Sequence, residues 1–303
     1  MRTLVLTGVT LITIAVAACG GSSSHSGFDS SNGGGGDDGG GGGLIDNGDG
    51  GPGGSLGGGG DDGGGSTNNP PAEVWGHSPD SLYKVDPNTK AVSVQGKFDG
   101  CTNVTDLALD SASNMYVTTQ DGFYKVDKTT AKCTEISMGS YPNSLSFVPA
   151  GTLDPSVEAL VGYVGDQYVR IDPSSGKISM LGHLNAGSGV VSSGDIVSVK
   201  GGPSYLTVTG GSKCSNMDCL IEVDPASGAM KTYYGSIGHP SVFGIAFWAG
   251  TVYAFDDKGE VFSVDIDATG KLTTASITVP NPPSGLEFWG AGSTTSAPPH
   301  GPN

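Results

Sequence analysis

Five short segments of the chain share one alternating pattern of apolar and polar residues. In each, two apolar residues flank one polar residue, and an aspartate follows at once. An alternation with a period of two predicts a β-strand that buries one face and exposes the other. The segments are Tyr83-Lys84-Val85-Asp86, Tyr124-Lys125-Val126-Asp127, Val169-Arg170-Ile171-Asp172, Ile221-Glu222-Val223-Asp224 and Phe262-Ser263-Val264-Asp265.

The aspartate after each segment predicts a tight turn. An aspartate at the first turn position accepts a backbone N–H two residues on, and proline and glycine favour the positions that follow. The five aspartates are 41, 45, 52 and 41 residues apart. A repeat in the forties built from strands is typical of β-propeller blades.

Each repeat contains further strands before and after this segment. Middle strands are predicted at 114–119, 158–164, 204–210 and 251–256, and a fourth strand follows each turn. Innermost strands are predicted at 106–110, 144–148, 195–199, 244–248 and 285–289. Most of these carry a small residue in their third column, as expected where strands crowd the propeller axis.

The two ends of the chain are predicted to share one blade. The first repeat has no innermost strand of its own, and residues 285–289, "GLEFW", supply it. We therefore predict an all-β, five-bladed β-propeller over residues 72–290, monomeric and closed by its N- and C-terminal strands. Six blades are the alternative, if the 52-residue interval contains irregular structure. Residues 291–303 are predicted to be a disordered tail, so a truncation after Gly292 is expected to be silent.

One repeat unit, "GIAFWAGTVYAFDDKGEVFSVD", carries a resemblance to known families. It resembles the NHL, gluconolactonase/regucalcin-like and YncE-like group of bacterial propellers, over residues 75–290. The resemblance implies the propeller fold. Because that group includes lactonases, a streptogramin lyase and non-catalytic binders, it implies no single activity, and no catalytic residue of the group can be placed on this sequence.

The N-terminus has the pattern of a secretory signal. Arg2 precedes an apolar stretch from Leu4 to Ala18, which is shorter than the roughly 20 residues that a membrane crossing needs. The sequence Val16-Ala17-Ala18-Cys19 resembles the lipobox of bacterial lipoproteins. The resemblance implies removal of residues 1–18 and lipidation of Cys19, which would anchor the protein to a membrane. Ordinary secretion, with an incidental cysteine at this position, is the alternative.

Residues 19–71 are predicted to form a disordered tether. Positions 20–69 contain 24 glycines, seven aspartates and no lysine or arginine, so the segment has little apolar surface to bury. A glycine after Cys19 points to the outer membrane under the enterobacterial sorting rule. We expect a lipid-anchored protein of the cell envelope, at its periplasmic face or at the cell surface.

Charge and cysteines constrain the folded part further. Residues 70–303 contain 13 Lys and Arg against 23 Asp and Glu, a net charge of −10, which opposes nucleic-acid binding. An even number of cysteines in an exported domain predicts disulfides. We favour a Cys214–Cys219 bridge, which leaves Cys101 with Cys133. A metal knuckle at "CSNMDC" is the alternative, but no second cysteine pair with zinc spacing accompanies it.

Catalytic motifs are absent from the sequence, and the candidate chemistry is acidic. Asp106 and Asp195 begin two predicted inner strands, and Glu287 lies in a third. Together they could hold Ca²⁺ or Mg²⁺ in the channel, although each aspartate could instead accept backbone N–H groups at the start of its strand.

Two histidines and two tryptophans are further candidates. His77 and His239 are predicted on one face of the propeller, and Trp248 and Trp289 on the other, where they could stack a sugar ring or plug the channel. The predicted function is a non-enzymatic binding or scaffold module for a protein or glycan ligand. The alternative is a metal-dependent hydrolase or lyase acting on a sugar-like or lactone substrate at the channel mouth.

Overall fold

A computed structural model describes residues 70–187 and 189–301. The expected signal peptide, Cys19 and nearly all of the expected tether lie outside these residues. The described chain forms twenty β-strands arranged in five antiparallel sheets of four strands each. Within this part of the chain, no helix has the length and apolarity that a membrane crossing requires.

The sheets are numbered here as blades 1 to 5, and the strands of each blade are given in order from the innermost to the outermost. Blade 1 holds β20 (Gly290–Ser293), β1 (Val74–His77), β2 (Ser81–Val85) and β3 (Val92–Lys97). Blade 2 holds β4 (Val104–Leu109), β5 (Met115–Thr119), β6 (Gly122–Asp127) and β7 (Lys132–Met138). Blade 3 holds β8 (Leu145–Val148), β9 (Ala159–Val164), β10 (Gln167–Ile171) and β11 (Ile178–His183).

The last two blades follow the same order. Blade 4 holds β12 (Val190–Ser198), β13 (Ser204–Gly210), β14 (Cys214–Val223) and β15 (Met230–Ser236). Blade 5 holds β16 (Val242–Trp248), β17 (Thr251–Asp256), β18 (Val261–Ile266) and β19 (Leu272–Ile277). The innermost strands β4, β8, β12, β16 and β20 pack side by side in a closed ring. The prediction of a five-bladed β-propeller is confirmed.

The hydrophobic core lies between neighbouring blades. One cluster joins Tyr163 and Tyr168 of blade 3 to Ile196 and Ile221 of blade 4, and the other clusters likewise collect buried apolar side chains. The alternating segments read from the sequence supply this core, because in β6 Tyr124 and Val126 are buried while Lys125 is exposed. Period-two alternation therefore predicted which side of the third strand faces a neighbouring blade.

The repeated turn has the predicted mechanism in four of the five repeats. In blade 1, Oδ1 of Asp86 accepts the N–H groups of Asn88 at 2.8 Å and of Thr89 at 3.1 Å. The equivalent residues Asp127, Asp172 and Asp224 do the same in blades 2, 3 and 4. The last residue of each turn has a left-handed backbone conformation with positive φ. This residue is Lys90 in blade 1, Ala131 in blade 2, Gly176 in blade 3 and Gly228 in blade 4.

The fifth turn differs from the prediction. Asp265 lies within β18 and accepts a hydrogen bond from the Thr251 hydroxyl at 3.1 Å. Asp267 takes the turn position, and its Oδ1 accepts the N–H groups of Thr269 at 2.8 Å and Lys271 at 3.0 Å. The third strand of blade 5 continues two residues further than the third strands of blades 1, 3 and 4, and the capping aspartate is also displaced by two residues.

Ring closure is confirmed, but the closing strand is not the predicted one. Blade 1 is completed by β20, Gly290–Ser293, which pairs antiparallel with β1, whereas residues 285–289 precede that strand. The sequence "GAGS" has low strand propensity, so the pattern favoured "GLEFW". Small residues are needed here, since a methyl group added at Gly292 would lie 3.1 Å from Leu107 Cδ1.

The segment after β20 is ordered as far as residue 301, in contrast to the predicted disordered tail. Thr294, Thr295 and Ala297 are buried. The tail crosses the end of the channel at which the inner strands finish. There the N–H of Lys200 in blade 4 donates to Thr295 O at 2.8 Å, and the N–H of Ala249 in blade 5 donates to Pro298 O at 2.8 Å. The tail therefore ties separate blades together.

Both predicted disulfides are present. Cys101–Cys133 joins the connection between blades 1 and 2 to the outer strand of blade 2, and Cys214–Cys219 lies within the irregular start of β14. The first disulfide links a connection between blades to a strand, and the second closes a short segment at the start of a strand.

Truncation of the C-terminus tests ring closure. A chain that ends after Trp289 lacks β20 and exposes the edge of β1, so we expect it to unfold or aggregate, since domain stability is only about 5–15 kcal/mol. A chain that ends after Gly292 should also lose several kcal/mol, because buried hydrogen bonds of the tail are removed at about 1–3 kcal/mol each. Ending the chain after Gly301 is the control. Thermal unfolding followed by circular dichroism checks these outcomes, and an unchanged melting temperature after Gly292 would contradict the role of the tail.

Candidate functional site

The face of the propeller at which the inner strands begin, called here the top face, contains a pocket at the channel mouth. Its volume is about 290 Å³. Every blade contributes one residue, which lies in its inner strand or just before that strand. These five residues are Thr105, Asn143, Gly194, Phe243 and Trp289. Two residues of the rim, Gln120 and Tyr141, complete the lining.

The chemistry of this pocket is aromatic and amidic. None of its seven lining residues carries a charge. Trp289 is 40% exposed, and the amide side chains of Gln120 and Asn143 are exposed as well. The ring of Tyr141 is held by stacking on Phe123 and by its hydroxyl, which donates to Gly176 O at 2.9 Å. Flat apolar rings beside free amide groups suit a neutral ligand with both a flat face and hydroxyl groups.

Two carboxyl groups lie directly below the pocket, one residue further along their strands. Asp106 in β4 and Asp195 in β12 are fully buried, and their side chains are in hydrogen-bonding contact. Oδ1 of Asp106 accepts the N–H of Leu107 at 2.8 Å, and Oδ2 of Asp195 accepts the N–H of Ile245 in the next blade at 2.7 Å. The pair therefore crosses the channel and closes its upper end.

Two buried carboxyl groups in contact favour a state in which one of them is protonated. Burial, and then repulsion from Asp195, raise the pKa of Asp106 well above its usual range. Burial likewise raises the pKa of Asp195, although backbone N–H groups and the Asp106 hydroxyl oppose that rise. The remaining oxygens, Asp106 Oδ2 and Asp195 Oδ1, receive no backbone or other side-chain hydrogen bond. A proton on Asp106, donated to Asp195, satisfies both oxygens, because two ionised carboxylates in contact repel each other.

The predicted Ca²⁺ or Mg²⁺ site of three carboxylates is not assembled. The structure brings Asp106 and Asp195 together, but Glu287 lies in the segment before β20, half-buried, and does not contribute to the pKa shift of either aspartate. Ca²⁺ takes six to eight oxygen ligands, whereas the neighbours of this pair are backbone N–H groups, which repel a cation. The geometry fits a proton shared by the two carboxyl groups. It also fits the alternative prediction, in which the aspartates accept hydrogen bonds from backbone N–H groups.

His77 joins the same layer from the end of β1. It is fully buried, and its Nδ1 donates to Ser78 O at 2.9 Å, which leaves Nε2 unprotonated and without a hydrogen-bond partner. Burial lowers the pKa of His77 to about 4. A methyl group added at Gly290 would lie 2.3 Å from Nε2 and 2.5 Å from Oδ1 of Asp106, so glycine is required where these side chains meet. His77 is neutral at physiological pH and has no access to the pocket.

His239 lies at a different place on the top face. It precedes β16 and stacks on Phe262, with ring centroids 4.1 Å apart. The structure therefore does not bring His77 and His239 into one site. Trp289 also lies on the top face, because it precedes β20, whereas Trp248 ends β16 on the opposite face. The prediction that both tryptophans share the opposite face is wrong for Trp289.

Several lining residues were not recognised in the sequence. Thr105, Asn143 and Phe243 each stand immediately before a residue that the inner-strand alignment included, so extending that alignment by one column would have revealed them. Trp289 could not be placed in this column, because its strand was assigned five residues too early. Gln120 and Tyr141 lie in connections with no repeated sequence signal.

Comparisons with known proteins leave the family open. No protein-family model matches this chain, and no curated protein does. Among solved structures, hydrazine synthase of Kuenenia stuttgartiensis is similar at a TM-score of 0.39 and 15% identity, over 65% of this chain and 59% of that chain. A protein of unknown function from Bacteroides caccae is similar at a TM-score of 0.40 and 11% identity, over 72% and 77% of the two chains.

A third solved structure is the extracellular domain of a protein described as a one-component system of B. thetaiotaomicron. Its TM-score is 0.37 at 15% identity, over 75% of this chain and 31% of that chain. This chain thus spans less than two thirds of the hydrazine synthase chain and of the B. thetaiotaomicron chain. At these scores the similarities carry no conclusion about function, which has to come from the site itself.

Replacement of Asp106 tests the shared proton. The folded state keeps this proton at pH values where unfolded aspartates, with a pKa of about 4, have lost it, so stability falls as pH rises above about 4 until the pair ionises. In Asp106→Asn the amide donates to Asp195 and does not titrate. We expect the melting temperature of the variant, relative to the native protein, to increase from about pH 5 to about pH 8.

The comparison excludes the contribution of His77, which is unchanged in both proteins. Its lowered pKa produces the opposite trend, since stability is lost as pH falls below about 6.5, and this trend cancels in the difference. Asp106→Ala is the control, because it leaves Asp195 unpaired and should lower the melting temperature throughout. Thermal unfolding by circular dichroism at constant ionic strength checks the prediction. If the melting temperatures of Asp106→Asn and the native protein changed with pH in the same way, that result would contradict a shared proton.

Proposed function

We propose that this β-propeller is a non-enzymatic binding module that takes a neutral glycan at the channel mouth of its top face. The observation that carries the proposal is the composition of the pocket, in which all five blades converge on an uncharged surface of aromatic and amide side chains. Sugar rings present flat C–H faces to aromatic rings and hydroxyl groups to amides. Trp289 is the exposed aromatic residue of this pocket, and Asn143 is an exposed amide beside it.

The burial of the titratable groups supports binding over catalysis. A hydrolase or lyase needs a base, and often a metal, within reach of its substrate. Asp106, Asp195 and His77 have the largest burial-driven pKa shifts near the pocket, but all three are 0% exposed. Their hydrogen bonds hold inner strands together, so they form a closed floor. The metal-dependent alternative has no such supporting observation at the channel mouth.

Glycan binding can be tested with the full-length protein purified in detergent. We expect at least one neutral hexasaccharide, from a panel of α- and β-linked glucans, mannans and chitin oligomers, to bind by isothermal titration calorimetry. Trp289→Ala should weaken that binding at least about tenfold, because a buried aromatic contact is worth roughly 1.5–3 kcal/mol. Asn143→Ala should weaken it by a smaller factor, since a hydrogen bond contributes about 1 kcal/mol.

Met217 offers a matched control on the same face. It is 41% exposed and lies outside the pocket, so Met217→Ala should bind the glycan like the native protein. Loss of binding in Met217→Ala, or equal binding in Trp289→Ala, would contradict the pocket as the site. Binding of anionic polysaccharides alone would contradict the proposed ligand class.

We also propose that the propeller is displayed on a membrane of the cell envelope through a lipid on Cys19. The lipobox-like sequence before Cys19 supports this proposal, as does the glycine-rich composition of the linker. Such a linker of about 50 residues has a mean reach of roughly 40 Å, enough to hold a small domain clear of the lipid surface. A glycan-binding domain on a long tether can sample the space around its anchor, which suits capture at a cell surface or in the periplasm.

Replacement of Cys19 tests the anchor. Cys19→Ala should move the protein from the membrane fraction to the soluble fraction after cell lysis, because several acyl chains are needed for stable anchoring and the variant carries none. Ser22→Ala, three residues away in the linker, is the control and should stay in the membrane fraction. Membrane association of Cys19→Ala equal to that of the native protein would contradict lipidation at this residue.

A further inference from the structure

A second group of side chains lies on the top face of blade 5, away from the channel pocket. His239 stands in the connection between β15 and β16, Asp256 ends β17, and Glu260 precedes β18. One ligand atom from each residue can be chosen so that all three lie within 4.8 Å of one another. A single ion can therefore contact an imidazole nitrogen and two carboxylates without a change of the backbone.

The three side chains are held in place by the fold. The His239 ring lies on the face of Phe262 at an interplanar angle of 15°, and its carbonyl accepts the N–H of Asp218 at 3.0 Å. Asp256 is only 2% exposed. Its Oδ1 accepts the N–H groups of Lys258 at 3.0 Å and Glu260 at 2.8 Å, which fixes the orientation of the carboxylate.

The cluster has an excess of electron-pair acceptors. The buried Asp256 carboxylate has an oxygen within 4.8 Å of an oxygen of the Glu260 carboxylate. His239 Nδ1 is 3.8 Å from Glu260 Oε2, too far for a direct hydrogen bond. In the described residues, Asp256 Oδ2 receives no N–H or O–H donor. A carboxylate that lies beside a second carboxylate and an imidazole is stabilised by a cation between them.

We propose that His239, Asp256 and Glu260 bind a divalent transition-metal ion of the Zn²⁺ type. One imidazole and two carboxylates suit such an ion, whereas Ca²⁺ and Mg²⁺ prefer oxygen ligands throughout. Glu260 is 58% exposed, so the ion can enter from solvent and keep an open coordination position. This assignment uses different residues from those that the sequence suggested for a metal.

The ion would also stiffen the support of the channel pocket. The N–H of Phe288 donates to Asp256 O at 3.2 Å, and the turn at Gly259 is in close contact with the carbonyl of Leu286. Trp289 follows directly in the chain. Metal binding at Asp256 and Glu260 would therefore stiffen the segment that positions Trp289. The metal site itself does not depend on what the pocket binds.

Zinc titration of the full-length protein tests the site. After removal of metal with EDTA, we expect one equivalent of Zn²⁺ to bind by isothermal titration calorimetry and to raise the melting temperature. His239→Ala and Glu260→Gln should each weaken Zn²⁺ binding at least about tenfold. In zinc sites, replacing a residue that only hydrogen-bonds to a ligand already lowers the metal affinity by about that factor. Equal concentrations of Ca²⁺ should not raise the melting temperature.

His183 provides the matched control. Its Nδ1 lies 3.3 Å from Asp166 Oδ2, a histidine–carboxylate pair without a third ligand, so His183→Ala should bind Zn²⁺ like the native protein. Glu260→Gln should fold and melt, without metal, at a temperature equal to or above that of the native protein, because it removes the repulsion on Asp256. Zinc binding that survives in His239→Ala and Glu260→Gln, or that is absent from the native protein, would overturn the proposal. A loss of binding in His183→Ala would do the same.

Discussion

The hydrogen-bonded carboxyl pair on the propeller axis is the interaction on which the rest of the fold depends. A five-bladed ring leaves little room at its centre, and buried strand ends there carry N–H groups that need acceptors. Asp106 and Asp195 provide such acceptors for the N–H of Leu107 in blade 2 and for the N–H of Ile245 in blade 5. One shared proton lets both carboxyl groups stay buried without two full charges. The inner strands of blades 2, 4 and 5 are thereby connected through a single pair of side chains.

Closure of the ring obeys the same limit on space. The inner strand of blade 1 consists of Gly290, Ala291, Gly292 and Ser293, the smallest side chains available, because Leu107 and His77 occupy the volume on either side of it. A strand with such low intrinsic propensity is held by its neighbours and by the tail that follows it. The chain ends therefore contribute to the core of the domain, while the outer strands of each blade carry the exposed polar residues.

A framework fixed at its axis leaves the top face free to vary. The pocket residues lie in or just before the inner strands, so their backbone positions are set by the ring. In the inner strands of blades 2 and 4, a buried aspartate supports the structure and the residue before it lines the pocket. The metal-binding group in blade 5 follows the same principle, since a turn and a connection on a rigid blade supply its ligands.

The repeat was legible in the sequence because its causes are local. Alternation of apolar and polar residues produces a strand with one buried face, and an aspartate beside backbone N–H groups produces a turn. Both effects act within a few residues. The number of blades, the order of the strands and the burial of Tyr124 and Val126 could therefore be predicted from the sequence pattern alone. The disulfide pairing also followed, because the even cysteine count and the short Cys214–Cys219 spacing allowed few arrangements.

Structural features that depend on the assembled ring could not be predicted from the sequence pattern. Gly290 to Ser293 look like a loop until Leu107 and His77 surround them, and the polar tail after them looks disordered until other blades supply its hydrogen bonds. The pairing of Asp106 with Asp195, without Glu287, likewise depends on which strands meet across the axis. Residues 89 positions apart in the chain have no local signal that they touch. Long-range packing and the electrostatics of burial decide these contacts, and both arise only once the ring is closed.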